Sequence, residues 1–246
     1  MIAAILIGRK GSTGLPGKNT MELEGHPMTW WPLMAAAETP LIDRIFVSTD
    51  DPDIADIARD FSATIIERPA YLASKEALGE DAYVHAHQVI SAEVGADDPE
   101  AYVLLMANAV TVSPAQLTEG LTVLREHPDI DSAVTVSRYN MWSPLRARRA
   151  MSDGTLQPFV PFETFGDPAT LDCDRDSQGD VLFADMGTSI IRPRNLSDLH
   201  GGLLPQKWMG QRIYPIRNEG GLDVDYDYQV PQAAWWLRKN RPEHCR

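Results

Sequence analysis

The chain has 246 residues, 43% of them hydrophobic and 23% charged, enough to bury one α/β core with an insertion and unlike a disordered or fibrous composition. A formal net charge of −13 argues against general binding to nucleic acid or to an anionic membrane surface. Cys173 and Cys245 stand far apart with no C-x-x-C or Cys/His spacing, so neither a disulfide framework nor a zinc site is indicated, and a reducing cytoplasm suits them.

Residues 2–7 (I-A-A-I-L-I) form an unbroken apolar run of strand length that stops at Gly8, where a loop dense in glycine and charge begins. The run is too short for a signal h-region or a membrane span and no basic segment precedes it, so no targeting segment is expected. Gly8, Gly11, Gly14 and Gly17 would let a phosphate chain approach the backbone amides, and Arg9, Lys10 and Lys18 supply positive charge. The reading is a buried strand feeding a nucleotide triphosphate cradle; the plainer alternative is a strand-to-helix turn with basic residues on its surface. A P-loop does not fit, because Lys18 is followed by Asn19 and not by a hydroxyl. A Rossmann fingerprint does not fit either, since Pro16, Lys18 and Asn19 suggest a longer, extended loop.

Further along, 27–38 has an Ala-rich helical composition in which Trp30, Trp31, Leu33 and Met34 serve as core or interface packing. Residues 44–49 read as the second strand, and Asp50-Asp51-Pro52 as a turn that caps a helix over 53–61. A third short strand over 63–67 ends at Arg68-Pro69. Strands alternating with helices argue for βαβ units and a largely parallel sheet, whose ligands gather at the carboxyl ends of the strands. Arg68 lies at such an end, and either touches a ligand there or pairs at the surface with Glu67. A helix over 79–94 carries His85 and His87, which face different sides and are poor joint metal ligands. Strand 101–106 follows, then a helix from Ser113-Pro114 to about His127, and an alternating strand over 131–137.

Residues 138–211 are rich in turn formers. Arg146, Arg148, Arg149 and Arg175 are noticeable there in so acidic a chain: guanidinium forks suit carboxylate or phosphonate oxygens, although pairing with Asp172, Asp174, Asp176 and Asp180 is open to each of them. A short strand over 213–216 leads into G-G-L-D-V-D. In an extended segment Asp223 and Asp225 point to one face, where two carboxylates repel unless a cation lies between them. Magnesium would answer that, taking carboxylates and phosphate oxygens together; the alternative is a solvated acidic turn. A final helix over 229–239 ends at Asn240 and Pro242.

Four stretches in order, R-K-G-S-T-G-L-P-G-K-N from Arg9, V-S-T-D-D-P-D-I-A-D-I-A from Val47, E-R-P-A-Y-L-A from Glu67 and G-L-D-V-D from Gly221, resemble the motifs of the sugar-acid cytidylyltransferases, the family of the CMP-sialic acid and CMP-Kdo synthetases. The resemblance implies a Rossmann-like nucleotide-diphospho-sugar transferase (GT-A-like) α/β fold, with a mostly parallel sheet, helices on both faces and a small inserted lobe. It implies one cytidylyltransferase domain over 1–246, with an inserted lobe at 139–211 for acceptor binding and dimerisation. CTP would lie on Ile7, Gly8, Arg9, Lys10, Gly11, Ser12, Thr13, Lys18, Arg68 and Asn108. Mg2+ would sit on Asp223 and Asp225, with Arg9 and Lys18 as their catalytic companions. Arg146, Arg148, Arg149, Arg175 and Gln178 are the acceptor-binding candidates.

The sequence departs from the sialic-acid enzymes at three places: Met106-Ala107-Asn108 stands where they carry Gln-Pro-Thr-Ser-Pro, Thr13 where they usually show Lys, and Met186 where they carry an Asn before Gly187. The expected activity is Mg2+-dependent transfer of CMP from CTP to a small acidic acceptor with release of pyrophosphate, in a cytoplasmic homodimer. The acceptor is a nonulosonic sugar acid or, as the alternative, a small phosphonate. A metal-dependent glycosyltransferase and a non-catalytic nucleotide sensor are the readings from other classes.

Overall fold

The computed structural model describes residues 1–11, 14–74, 76–95 and 99–246. β1 (Ile2–Ile7) is buried at every position because both faces of its sheet are covered: Ile2, Ala4 and Leu6 meet one layer of helices, Ala3, Ile5 and Ile7 the other. The chain continues through a small hairpin, β2 (Glu22–Leu23) and β3 (His26–Pro27), then α1 (Trp30–Ala37), β4 (Arg44–Thr49), α2 (Pro52–Arg59), β5 (Thr64–Glu67) and α3 (Gly79–Val94). Next come β6 (Ala101–Met106), α4 (Pro114–Glu126), β7 (Ser132–Arg138), a second small hairpin of β8 (Arg148–Ala150) and β9 (Leu156–Pro158), β10 (Leu182–Ile191), α5 (Arg194–Ser197), β11 (Ile213–Arg217) and α6 (Val230–Asn240).

The central sheet has seven strands in the order β11-β7-β10-β6-β1-β4-β5. Its pairs are parallel except those of β10, which runs antiparallel to both β6 and β7. α1, α2 and α4 cover one face and α3 and α5 the other. The helix starts follow the side chains expected to make them. Asp51 caps α2 by accepting from Asp53 N at 3.0 Å, and Ser113 opens α4 in a capping box with Gln116. α1 begins later than the composition of 27–38 suggests, because His26 and Pro27 are taken up in the hairpin with Leu23 and Glu22.

β10 is the main difference from the sequence reading. It falls inside the stretch 139–211 expected to be an insertion, yet it sits in the middle of the sheet. What leaves the sheet is the excursion between β7 and β10, with the β8–β9 hairpin. The strand is disguised by an irregularity: Ala184 pairs with Val136 and Ser189 with Val134, so the intervening residues bulge out of register. Asp185 and Gly187 in the bulge break the apolar alternation that marks the other strands.

A third apolar cluster joins the first hairpin and α1 to α6. Trp31 and Trp236 are its largest members, and it packs Leu222 and Val224 from the segment that carries Asp223. Both indoles also donate, Trp31 Nε1 to Leu23 O at 3.1 Å and Trp236 Nε1 to Asn218 Oδ1 at 2.8 Å. Among the described residues no helix is long and apolar enough to cross a membrane. α4 lies so close to the sheet that a Cβ on Gly120 would run into Ile190 Cδ1 and Ile216 Cδ1. Gly120→Ala should therefore lower stability by about 1–3 kcal/mol through overpacking, read as a lower urea midpoint with an unchanged slope.

Candidate active site

The loop after β1 is tied at its start to β4 and the turn that follows it. Gly8 N donates to Ser48 O at 3.2 Å, Lys10 N to Asp50 Oδ1 at 2.9 Å, and Asn19 Nδ2 folds the loop back by donating to Arg9 O at 3.2 Å. Lys10 and Gly11 are exposed, and Arg9 reaches the Gly11 carbonyl at 3.1 Å. Ser12 and Thr13 lie outside the described residues. Lys18 is 8% exposed and its ammonium is ion-paired with Asp225 Oδ1. A Cβ on Gly14 would stand 2.5 Å from the Asp225 carbonyl oxygen, so glycine is what lets this loop lie against the carboxylate segment.

A cavity of about 330 Å³ opens over the loop, walled by Ile7, Gly8, Arg9, Lys18, Arg68 and Asn108 among others, with Asp225 and Tyr226 at its edge. Arg68, at the end of β5, is 7% exposed and is held by Ser48, donating from Nη2 to its carbonyl at 2.6 Å and from Nε to its Oγ at 3.3 Å. Burial lowers its pKa, opposed chiefly by the Asp50 charge; a guanidinium stays charged regardless. The surface pair with Glu67 is thus not where Arg68 points. Leu78 and Gly79 also line the cavity, so the 16-residue α3 begins at its wall, with the Leu78 amide given to Asp81 Oδ2 at 3.4 Å. Free amides and the helix dipole favour an anion there. The sequence reading missed that contribution, although the loop-to-helix junction at Gly79 was its visible trace.

Asn108 follows β6 and clamps the carboxylate segment by exchanging bonds with Val224, Nδ2 to Val224 O and Val224 N to Asn108 O, both at 3.0 Å. Its Nδ2 also lies 3.5 Å from Asp223 Oδ2. Burial raises the Asp223 pKa, the Asp225 charge raises it further, and Lys18 opposes both. Two carboxylates thus share one ammonium, a set of hard oxygen donors with charge to spare, which fits a divalent cation such as Mg2+. Among the described residues no group of three or more His, Cys, Asp or Glu is placed to hold a metal. A cation on this pair would complete its shell from phosphate oxygens and water.

On the other side of the pair lies a second cavity, about 440 Å³, which Asp223 lines. Its walls are aromatic, from Tyr139, Trp142, Phe183 and Tyr228, with Gln232 and Asp185 supplying polar atoms. These side chains come from three separated stretches, 139–142, 183–185 and 228–232, and no local spacing marks them in the sequence. The five acceptor-binding candidates line neither of these cavities. Arg146 donates to Cys173 O at 2.6 Å, Arg148 to Leu145 O at 2.9 Å and Arg149 to Phe159 O. Arg175 pairs with Asp176 at 3.4 Å, and Gln178 donates to Ser177 Oγ at 3.4 Å. All five are exposed and partnered within the excursion, as guanidinium groups in an Asp-rich loop are free to be.

The raised Asp223 pKa has a consequence for stability. A carboxyl that is harder to ionise in the folded chain binds more protons there, so stability falls as pH rises above the ordinary aspartate range. Asp223→Asn should be more stable than the wild type near neutrality by about 0.5–2 kcal/mol. The gain should fade by about pH 4, which paired urea titrations at the two pH values would measure.

Known proteins resemble this chain in sequence and in fold. A cytidylyltransferase family model matches residues 3–113. The N-acylneuraminate cytidylyltransferase of Oncorhynchus mykiss is 25% identical over 235 residues, 94% of this chain and 49% of that protein. The N-acylneuraminate cytidylyltransferase of Escherichia coli O18:K1:H7 is 26% identical over 66% of this chain and 37% of its own length. The CMP-N,N'-diacetyllegionaminic acid synthase of Legionella pneumophila is 41% identical over 64 residues, 26% of this chain and 28% of that one. The chain therefore spans about half or less of the length of these relatives. In fold it is similar to a CMP:2-keto-3-deoxy-manno-octonic acid synthetase solved with CTP, with a TM-score of 0.66, 16% identity and coverage of 97% of this chain and 98% of that one. It is also similar to the 4-diphosphocytidyl-2C-methyl-D-erythritol synthase of Anaerococcus prevotii, with a TM-score of 0.60, 11% identity and coverage of 96% of each chain. The resemblance read from the four sequence motifs is borne out as a likeness: over residues 3–113 the chain matches a cytidylyltransferase family model, in sequence it is similar to N-acylneuraminate cytidylyltransferases, and in fold it is similar to a CMP:2-keto-3-deoxy-manno-octonic acid synthetase.

Proposed function

We propose that the chain transfers CMP from CTP to a nonulosonic-type sugar acid, with Mg2+ and release of pyrophosphate. The observation that carries this reading is the placement of the Asp223–Asp225 pair between two unlike cavities, one basic with a helix N-terminus and one aromatic. The names of the relatives, N-acylneuraminate and diacetyllegionaminic acid enzymes, support the same acceptor class.

In this reading the triphosphate lies in the first cavity. Backbone amides of the loop and of the start of α3 hydrogen-bond its oxygens, while Arg9, Lys18 and Arg68 offset its charge. Asp223 and Asp225 would hold Mg2+, which supplies Lewis-acid charge at the phosphates when bound. Asn108, through its paired bonds to Val224, keeps the two carboxylates aimed at the boundary between the cavities. The sugar ring lies in the second cavity against Tyr139, Trp142, Phe183 and Tyr228, oriented by a few polar groups such as Gln232. An attacking oxygen from that side meets the α-phosphorus opposite the leaving pyrophosphate, so positioning and charge neutralisation do most of the work. A compact phosphonate is less well served, because it has no ring to lay on the aromatic faces that make up most of this cavity.

The excursion between β7 and β10 exposes Leu156 and Phe159, at 65% and 56%; we assign this apolar surface to a homodimer contact.

Pyrophosphate release should appear with CTP, and not with the other nucleotides, once a nonulosonic acid is supplied. Silence across nonulosonic acids, Kdo-type sugars and phosphonates, in a protein that binds CTP, would overturn the catalytic reading. Asp225→Ala should cost at least about a thousandfold in turnover, the several kcal/mol that a bound metal supplies, with an unchanged melting temperature.

A further inference from the structure

Behind the wall of the second cavity, to which Asp185 contributes, lies a buried polar cluster that has no step in the proposed reaction. Asp185 sits on the bulge of β10 and is 6% exposed, Ser137 near the end of β7 is 0% exposed, and Asn218 after β11 is 3% exposed. Gly187 N donates to Asp185 Oδ1 at 3.0 Å. Ser137 Oγ lies 2.7 Å from Asp185 Oδ2 and within hydrogen-bond reach of the Asn218 carbonyl oxygen. It also accepts from Gly221 N at 2.9 Å.

The protons around Ser137 can be counted. Its hydroxyl carries one proton, and two oxygens face it, Asp185 Oδ2 and Asn218 O. If Asp185 were ionised, the hydroxyl could serve only one of them, and the other would face a Ser137 lone pair at hydrogen-bond distance, with Asn218 O then relying on its longer bond from Gly221 N at 3.3 Å. With a proton on Asp185 Oδ2, the carboxylic acid donates to Ser137 Oγ and Ser137 in turn donates to Asn218 O. Every group in the chain then has its partner. Burial acts in the same direction and raises the Asp185 pKa, outweighing the hydrogen bonds from Thr135, Ser137, Gly187 and Asn218 that lower it.

Ser137 thereby grips both ends of the turn 218–221, and Tyr139 OH adds a bond to Gly221 O at 3.0 Å. A Cβ on Gly221 would collide with Asn218 Nδ2 and Asp185 Oδ2, so the backbone there rests directly on the carboxyl. Two residues further on stands Asp223. We propose that Asp185 is kept as a neutral carboxylic acid and, through Ser137, acts as a positioning residue for the segment 218–225 that bears Asp223 and Asp225. The cluster is read from its own geometry; only the purpose of the positioning rests on the proposed function.

Two measurements test it. The infrared difference spectrum of wild type minus Asp185→Asn, at neutral pH and without substrate, should contain the carbonyl stretch of a protonated carboxylic acid. A difference showing only carboxylate bands would overturn the proposal, whatever the protein catalyses. Mn2+ binding in the presence of CTP reads the positioning. Asp185→Asn, which can still donate to Ser137 and accept from Gly187, should stay within about twofold of wild type. Asp185→Ala and Ser137→Ala should each weaken the metal about tenfold or more, as loss of outer-shell support does, with CTP affinity in the absence of metal unchanged. Wild-type affinity in the two alanine variants, or equal losses in Asp185→Asn and Asp185→Ala, would overturn it. Should Asp185→Ala fail to fold, Ser137→Ala carries the same test. If the wild type binds no Mn2+, the function reading fails on its own, and the infrared band still decides the state of Asp185.

Discussion

Two aspartates two residues apart on one extended segment repel each other, and much of this fold serves to hold them together. The segment 218–225 has no strand partner over Asp223 and Asp225 themselves, so side chains supply what a sheet ladder would otherwise give. Thr111 Oγ1 exchanges bonds with Leu222 at 2.9 Å in each direction, Asn108 does the same with Val224, and Gln229 Oε1 accepts from Asp225 N at 2.6 Å. Beneath them Leu222 and Val224 are anchored in the tryptophan cluster of α1 and α6. A polar clamp above and an apolar anchor below hold the repulsion in place, because loosening either would free a segment whose charges push it apart.

The same need accounts for the position of the glycine-rich loop. Lys18 gives the pair its counter-charge, and it can do so only because Gly14 permits the loop to lie on the Asp225 backbone. The loop and the carboxylates, far apart in sequence, therefore form one unit with an ion pair at its centre. Such a pair with one partner 10% and the other 51% exposed at the side chain is partly screened, and its value lies more in fixing geometry than in net stability.

Much of this was legible from local pattern. The strand over 2–7, the strand over 44–49, the caps at Asp51 and Ser113, and the helix over 79–94 all follow from periodicity and capping side chains, and their bounds match closely. The basic loop and the Asp223–Asp225 spacing were legible because each is contiguous. The second cavity was not, since Tyr139, Phe183 and Tyr228 meet only once β7, β10 and α6 are in place. β10 itself was hidden because Asp185 and Gly187 answer to the buried cluster around Ser137 and not to strand alternation. The arginines of the excursion drew attention by their charge, but charge alone says nothing about direction, and they point at carbonyls and aromatic rings nearby.

The place of β10 in the sheet has a further consequence, for the order in which the molecule can be made. β6 and β7 are not neighbours; each pairs with β10, which lies between them. During synthesis β1, β4, β5 and β6 can assemble into one half of the sheet, and β7 can leave the ribosome, yet β7 has nothing to join, and the far edge of β6 stays bare, until the residues of β10 emerge after the whole excursion. Until then the far edge of β6 and both edges of β7 stand open, the situation in which nascent chains pair wrongly or with each other. The excursion that brings Tyr139 and Trp142 to the second cavity is thus also a delay line, and its length sets how long the growing chain waits before its sheet becomes continuous.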